Sequence, residues 1–312
     1  MNLFVLLACA FFAAGAESRP SLVVVVGAEG TEEYGRQFRQ WAGRWEEAAQ
    51  RGNADVAVIG LREPGTMTDR QRLQERLAAS AGPASEPLWL VLIGHGTFDG
   101  KTARFNLRGP DVSAADLAVW MKPLARPLAI VNCASCSGPF LNELSGPDRV
   151  VITATKSGHE ANFARFGEYI SAAIGDPKAD LDKDEQVSLL EAYLLGSSGV
   201  REFYLQEGRL ATEHALLDDN GDRLGTPADW FKGVRAVKTA KNGARPDGLR
   251  ASQFHLVPGP REQQLSPASR QRRDQLEQEL ARLREHKSEL SEDDYFQQLD
   301  SLLVELSRLY AE

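Results

Sequence analysis

The chain is short of thiols, of imidazoles and of positive charge. It has only three cysteines and five histidines in 312 residues. Past residue 16 the thiols reduce to Cys133 and Cys136, with no paired histidine nearby, which falls short of the four ligands of a zinc site. Lys and Arg number 36 against 44 Asp and Glu, a net charge of −8 with pI near 5.3, so nothing electrostatic argues for nucleic acid as a partner. Beyond the first 16 residues no apolar run approaches the roughly 20 residues of a membrane span. No internal repeat of useful length is present.

What is there supports a large α/β domain with an appendage. Hydrophobic residues make up 42% of the chain, enough for a substantial core. Residues 1–16 are apolar and end Ala14-Gly15-Ala16, read as a secretory signal cut after Ala16. Leu6-Leu7-Ala8-Cys9 offers lipid attachment as the alternative. The expected protein is therefore exported, either secreted or periplasmic. Residues 21–27 (SLVVVVG), 55–61, 88–93, 128–132 and 149–154 are apolar runs of strand length, suited to strands covered on both faces. Between them, Tyr34, Phe38, Trp41 and Trp45 recur at helical spacing, as do Leu73 and Leu77, and Ser113 with Asp116 opens a short helix. Strands alternating with helices predict a mostly parallel sheet between helical layers, with reactive groups at the carboxyl ends of the strands.

The domain is expected over 17–239, followed by a linker or irregular packing segment over 240–264, rich in Gly, Pro and Arg. Residues 265–312 read as a helical hairpin. Ser266-Pro267 opens its first helix, with Leu276, Leu280 and Leu283 as its stripe. Ser291 with Asp294 caps a second helix bearing Phe296, Leu299, Leu303, Leu306 and Tyr310. The hairpin would dock on its own domain or bind a protein partner.

Two segments carry chemistry. Residues 88–96 (LWLVLIGHG) end in His95 between two glycines, and residues 128–140 (LAIVNCASCSGPF) pass through Cys133 and Cys136. Histidine and cysteine at neighbouring strand ends are the parts of a thiol–imidazole dyad. The Cys133 thiolate would attack a peptide carbonyl to give a thioester, His95 would move the protons, and the Gly96 amide would supply an oxyanion donor. Cys136 is the alternative nucleophile. Against this stands the ordinary fate of a buried cysteine, a small core hydrophobe, and hence a non-catalytic binding module. Cys133-x-x-Cys136 is also a dithiol spacing, so a redox protein is the third reading.

The pair of motifs resembles the caspase-like cysteine peptidases, and among them the legumain type. His95-Gly96 matches that family's histidine motif, and Cys133-Ala134-Ser135-Cys136-Ser137 resembles its Cys-Glu-Ser-Gly-Ser, with Ala134 and Cys136 as departures. The resemblance implies a caspase-like three-layer sandwich, an endopeptidase or transpeptidase acting on peptide or protein substrates without a catalytic cofactor, and substrate contacts from Ser157 and Glu160. A second alignment, of Cys136-Ser137-Gly138 with the caspase arrangement, makes Cys136 the nucleophile.

An acidic stretch suggests structural calcium. Asp180, Asp182, Asp184, Gln186 and Glu191 fall at ligand positions of a calcium-binding loop, with Glu185 where glycine is wanted. Asp218, Asn220 and Asp222 form a weaker second candidate. His214 reads as structural, since no second histidine follows it at helical spacing, and His159 lies near the proposed substrate loop.

Overall fold

The computed structural model describes residues 19–63, 65–238, 240 and 245–311. Residues 1–16, with the signal and Cys9, lie outside them. Five parallel strands form the centre: β1 (Ser21–Val26), β2 (Asp55–Ile59), β3 (Leu88–Ile93), β4 (Leu128–Asn132) and β5 (Arg149–Thr153). Their spatial order is β2-β1-β3-β4-β5. Two short strands, β6 (Leu216–Asp218) and β7 (Thr226–Pro227), extend the sheet antiparallel beyond β5.

Both faces of the sheet are covered, which explains the unbroken Val and Leu runs. Every residue of β1 and β3 is buried, and alternate side chains enter different layers. Val24, Trp89 and Val131 face one layer, made by α1 (Glu32–Arg51), α5 (Phe166–Ala173) and α6 (Leu189–Gln206). Val25, Leu90 and Ile130 face the other, made by α2 (Asp69–Ala79), α3 (Ala114–Trp120) and α4 (Gly138–Leu144). The caps are local. Thr68 with Gln71, Ser113 with Asp116 and Ser188 with Glu191 form reciprocal capping boxes. The architecture is thus an α/β sandwich with a largely parallel sheet.

One contact sets how tightly the first layer closes. A Cβ at Gly167 would stand 2.7 Å from the Trp41 ring and 2.9 Å from Cys133 Cβ. Gly167→Ala should therefore cost about 1–3 kcal/mol through overpacking, read as a lowered midpoint in urea unfolding.

Residues 245–259 pack on the body through buried Ala251, Phe254 and Leu256. After the short α7 (Pro260–Gln264), α8 (Pro267–Glu285) and α9 (Glu292–Ala311) form an antiparallel pair of helices. Ser266 caps α8 and Ser291 caps α9, as the sequence predicts. Helix α8 is tied to the body by Arg250–Asp274 (3.2 Å) and by Gln253 Nε2 donating to Glu277 (2.8 Å). Phe296 and Leu303 of α9 stay exposed.

Candidate active site at the carboxyl edge of the sheet

Gly94 and His95 follow β3 directly. At this edge the chains run close together: a Cβ on Gly94 would come 3.2 Å from Gly27 Cα. The His95 ring is packed edge-on against Tyr34 and Phe38, with centroids 4.9 and 5.2 Å away, and beside Phe163 at 5.9 Å. Its Nε2 lies 3.3 Å from the Glu29 carbonyl oxygen. A carbonyl only accepts, so this contact assigns the ring proton to Nε2 and leaves the Nδ1 lone pair as the basic one. The Glu29 carbonyl is thus the hydrogen-bond partner of the ring, and no side-chain pattern in the sequence signals it.

Three residues of the loop after β4 take different positions. Cys133 continues the sheet ladder, its N–H donating to Leu92 O at 2.9 Å. Its side chain enters the α1–α5 layer, fully buried beside Gly167. Burial, with a contribution from the Glu213 carboxylate, pushes its thiol well above the usual range. Cys136 is also buried and its thiol is also raised by burial. It differs in sitting on the turn itself, at φ +56°, with its N–H donating to Glu160 O at 2.9 Å. Ser135 joins the two strand ends. Its Oγ lies 3.3 Å from both Gly96 N and Gly96 O, accepting from the first and donating to the second. A Cβ on Gly96 would collide with Ser135 O at 2.1 Å, so only glycine fits there. The Gly96 amide expected as an oxyanion donor is thus already engaged. Among the described residues no hydrogen bond joins either sulfur to the His95 ring, and both cysteines are free thiols.

The loop after β5 crosses the same edge. Ser157 backbone abuts Gly138, where a Cβ would meet Ser157 N at 2.4 Å, and Ser157 Oγ accepts from His159 N at 3.3 Å. Glu160 is mostly buried and accepts from Lys156 N at 2.9 Å and His214 N at 3.2 Å. Its other oxygen contacts His214 Nδ1 at 2.5 Å. The His214 partner is 54 residues away in sequence, which is why local spacing missed it. His159 stacks edge-on against Phe98 at 5.2 Å.

The acidic loop is partly as expected. Ligand oxygens of Asp180, Asp182 and Asp184 lie within 4.8 Å of one another. Lys183 and Glu185 adopt φ of +65° and +75°, so the bend forms without glycine. Burial and the neighbouring carboxylates push Asp182 up to about 6. Two expected ligands are used elsewhere. Glu191 is buried and accepts from Leu181 N (2.6 Å), Asp182 N (3.3 Å), Ser188 N and Ser188 Oγ (2.8 Å each), which fills its lone pairs. The Gln186 side chain donates to Asp184 and accepts from Gly259 N. In the second candidate, Asp218, Asn220 and Asp222 each accept a backbone N–H two or three residues on.

No family model matches the sequence, and no curated protein matches it. Among solved structures, the chain is similar to the initiator caspase Dronc of Drosophila, with 13% identity, 65% of this chain and 80% of that one covered, and a TM-score of 0.42. It is similar to a structural-genomics target protein of Geobacter sulfurreducens at 10% identity, with 64% and 92% coverage and a TM-score of 0.40. A third likeness, to Raptor of Chaetomium thermophilum, has 10% identity, 53% and 18% coverage and a TM-score of 0.33.

Proposed function

We propose that this edge cleaves peptide bonds by acyl transfer, with His95 as general acid and base and Cys136 as the nucleophile. The observation that carries the reading is the Glu29 carbonyl on His95 Nε2, which orients an imidazole at a strand end beside a loop bearing a thiol. Cys136 is preferred over Cys133 because it lies on the turn, whereas Cys133 belongs to the helical layer. The Cys136 sulfur would add to the peptide carbonyl carbon as its proton passes to Nδ1. The C–N bond then breaks, the amine leaves with that proton, and water releases the acid from the thioester. Ser157 and the Glu160–His214 pair would meet the substrate side chain. Incubation with a library of quenched peptides, with and without reductant, tests this. Cleavage that needs reductant and is blocked by a thiol alkylator supports it, while no cleavage of any peptide removes it.

Burial of both thiols favours a second reading, a non-catalytic module that binds peptides at the same edge. Saturable binding of peptides that are never cleaved, unchanged in Cys136→Ala, would select it.

The Asp180–Asp182–Asp184 cluster is proposed as a structural calcium site on the alternation of its carboxylates. Calcium should then raise the unfolding temperature of the wild-type protein and not of Asp182→Asn. Equal shifts in both would refute it. Export belongs to the same proposal, and amino-terminal sequencing of the expressed protein should begin at Glu17.

A further inference from the structure

At the opposite end of the sheet from His95, a cavity of about 690 Å³ lies between the strand starts and α8. Its walls carry arginines that are bonded to backbone carbonyls in place of carboxylates, or that keep one buried nitrogen unpaired. Arg126 points Nε at Glu86 O (2.8 Å) and Nη2 at Pro87 O (3.3 Å), and Arg149 points Nη1 at Leu144 O (3.0 Å). Among the described residues neither guanidinium has a carboxylate within ion-pair distance. Burial pushes both guanidiniums down from their usual range, and the nearby Arg76 adds to this for Arg126 while Glu86 opposes it. Arg250 and Arg270 each bury an Nε with no hydrogen-bond partner.

The carboxylates on the same walls do not make up the deficit. Glu262 and Asp274 are held by Arg273 and Arg250. Glu86 approaches Arg270 only to 3.9 Å, and Asp148 is exposed. The first turn of α8 also lines the cavity through Pro267 and Arg270, and a helix start favours negative charge. Buried donors without acceptors are costly, more so when charged. An anion with several acceptor oxygens matches these donors.

We propose that this cavity binds a phosphate-bearing small molecule, its oxyanion bridging Arg149 of the body and Arg270 of α8. The volume is that of a small-molecule site, and planar guanidinium forks match phosphate oxygens in pairs. Such a ligand would clamp the helical pair to the sheet. The site is remote from His95, so it is independent of the peptidase reading.

The test is calorimetry and thermal unfolding of the full chain with pyrophosphate as the probe, at matched ionic strength. A saturable 1:1 isotherm is expected, with an unfolding temperature about 5 °C higher at a hundredfold excess over Kd. Arg149→Gln and Arg270→Gln should each weaken binding at least tenfold. Arg270→Lys, which keeps the charge and loses the fork, should fall between, and covers the case in which Arg149→Gln fails to fold. No saturable heat, a shift that sodium chloride reproduces, or equal affinity in Arg270→Gln overturns the site. Citrate binding as tightly as pyrophosphate overturns its assignment to phosphate.

Discussion

Cys136→Ala should lose peptide turnover by a thousandfold or more, while Cys133→Ala should keep it within a few-fold. The contrast follows from where the two side chains lie. Cys133, just past β4, continues the alternation by which Ala129 and Val131 enter the helical layer, so removing its sulfur changes packing and not chemistry. Its cost should appear as lost stability, about 1 kcal/mol for a small buried group. Cys136 lies three residues further on, at a left-handed turn pinned to Glu160. Removing a nucleophile forfeits the covalent route altogether. His95→Ala should cost roughly 10²–10⁴-fold in kcat, the usual worth of a positioned acid–base group.

The pH dependence separates an active thiol from a merely buried one. Burial raises the Cys136 thiol, so in the free protein its alkylation should be slow at neutral pH and accelerate into the alkaline range. A bound peptide that brings the His95 imidazolium near the sulfur would favour thiolate, and a peptide aldehyde should then protect Cys136 alone. If Cys133→Ala abolishes turnover and Cys136→Ala does not, the assignment of the nucleophile is wrong. If both variants keep it, the thiol mechanism is wrong.

The inner strands β1, β3 and β4 were legible because each is buried on both faces, which makes its sequence an unbroken apolar run, and the half-buried edge strand β2 still carries Val at alternate positions and ends in Ile59. The capped helices were legible because their end signals are local. The three-stranded sheet of Gly96–Phe98, Ala103–Phe105 and Val112–Ser113 was not. Its strands are two or three residues long and partly exposed, too short for a period of two to show. Strands β6 and β7 escaped for the same reason. At the site, His95 and the two cysteines could be placed at strand ends, but not which side of the sheet each thiol faced. That depends on the register of β4, where Cys133 extends the ladder by one residue and so turns inward. The acidic loop shows the reverse failure. Its spacing suggested five ligands, yet Glu191 is also the acidic member of a capping box: the cap takes one of its oxygens and the Leu181 and Asp182 amides take the other.

The strongest effect of pH on stability should come from Asp219 and Asp247, which no sequence pattern marked. Asp247 is buried and accepts from Asp219 N (2.9 Å), Asn220 N (3.2 Å) and the Thr226 hydroxyl, while Asp219 accepts from Gly248 N (3.0 Å) and Ala251 N (2.7 Å). These bonds lace the 245–251 segment to the end of β6 and so hold the base on which α8 docks. Burial, and then the adjacent Asp219 carboxylate, push Asp247 up to about 8, and burial also raises Asp219. An acid raised in the folded state keeps a proton that the unfolded chain releases near pH 4. Its contribution to stability is therefore complete below about pH 4 and is lost progressively as pH rises through about 8. Over that window the slope for one proton is at most about 1.4 kcal/mol per pH unit. Urea unfolding at fixed ionic strength should show the wild-type midpoint falling from pH 5 to pH 9. Asp247→Asn keeps the shape and two acceptor lone pairs but cannot ionise, so its midpoint should fall much less and exceed the wild type at pH 9. Asp116, held low by Arg70, contributes in the opposite sense but only in strong acid, outside the measured range. Parallel midpoint curves for the two proteins would mean that the pair does not share a retained proton, and the base of the helical appendage would then be insensitive to pH.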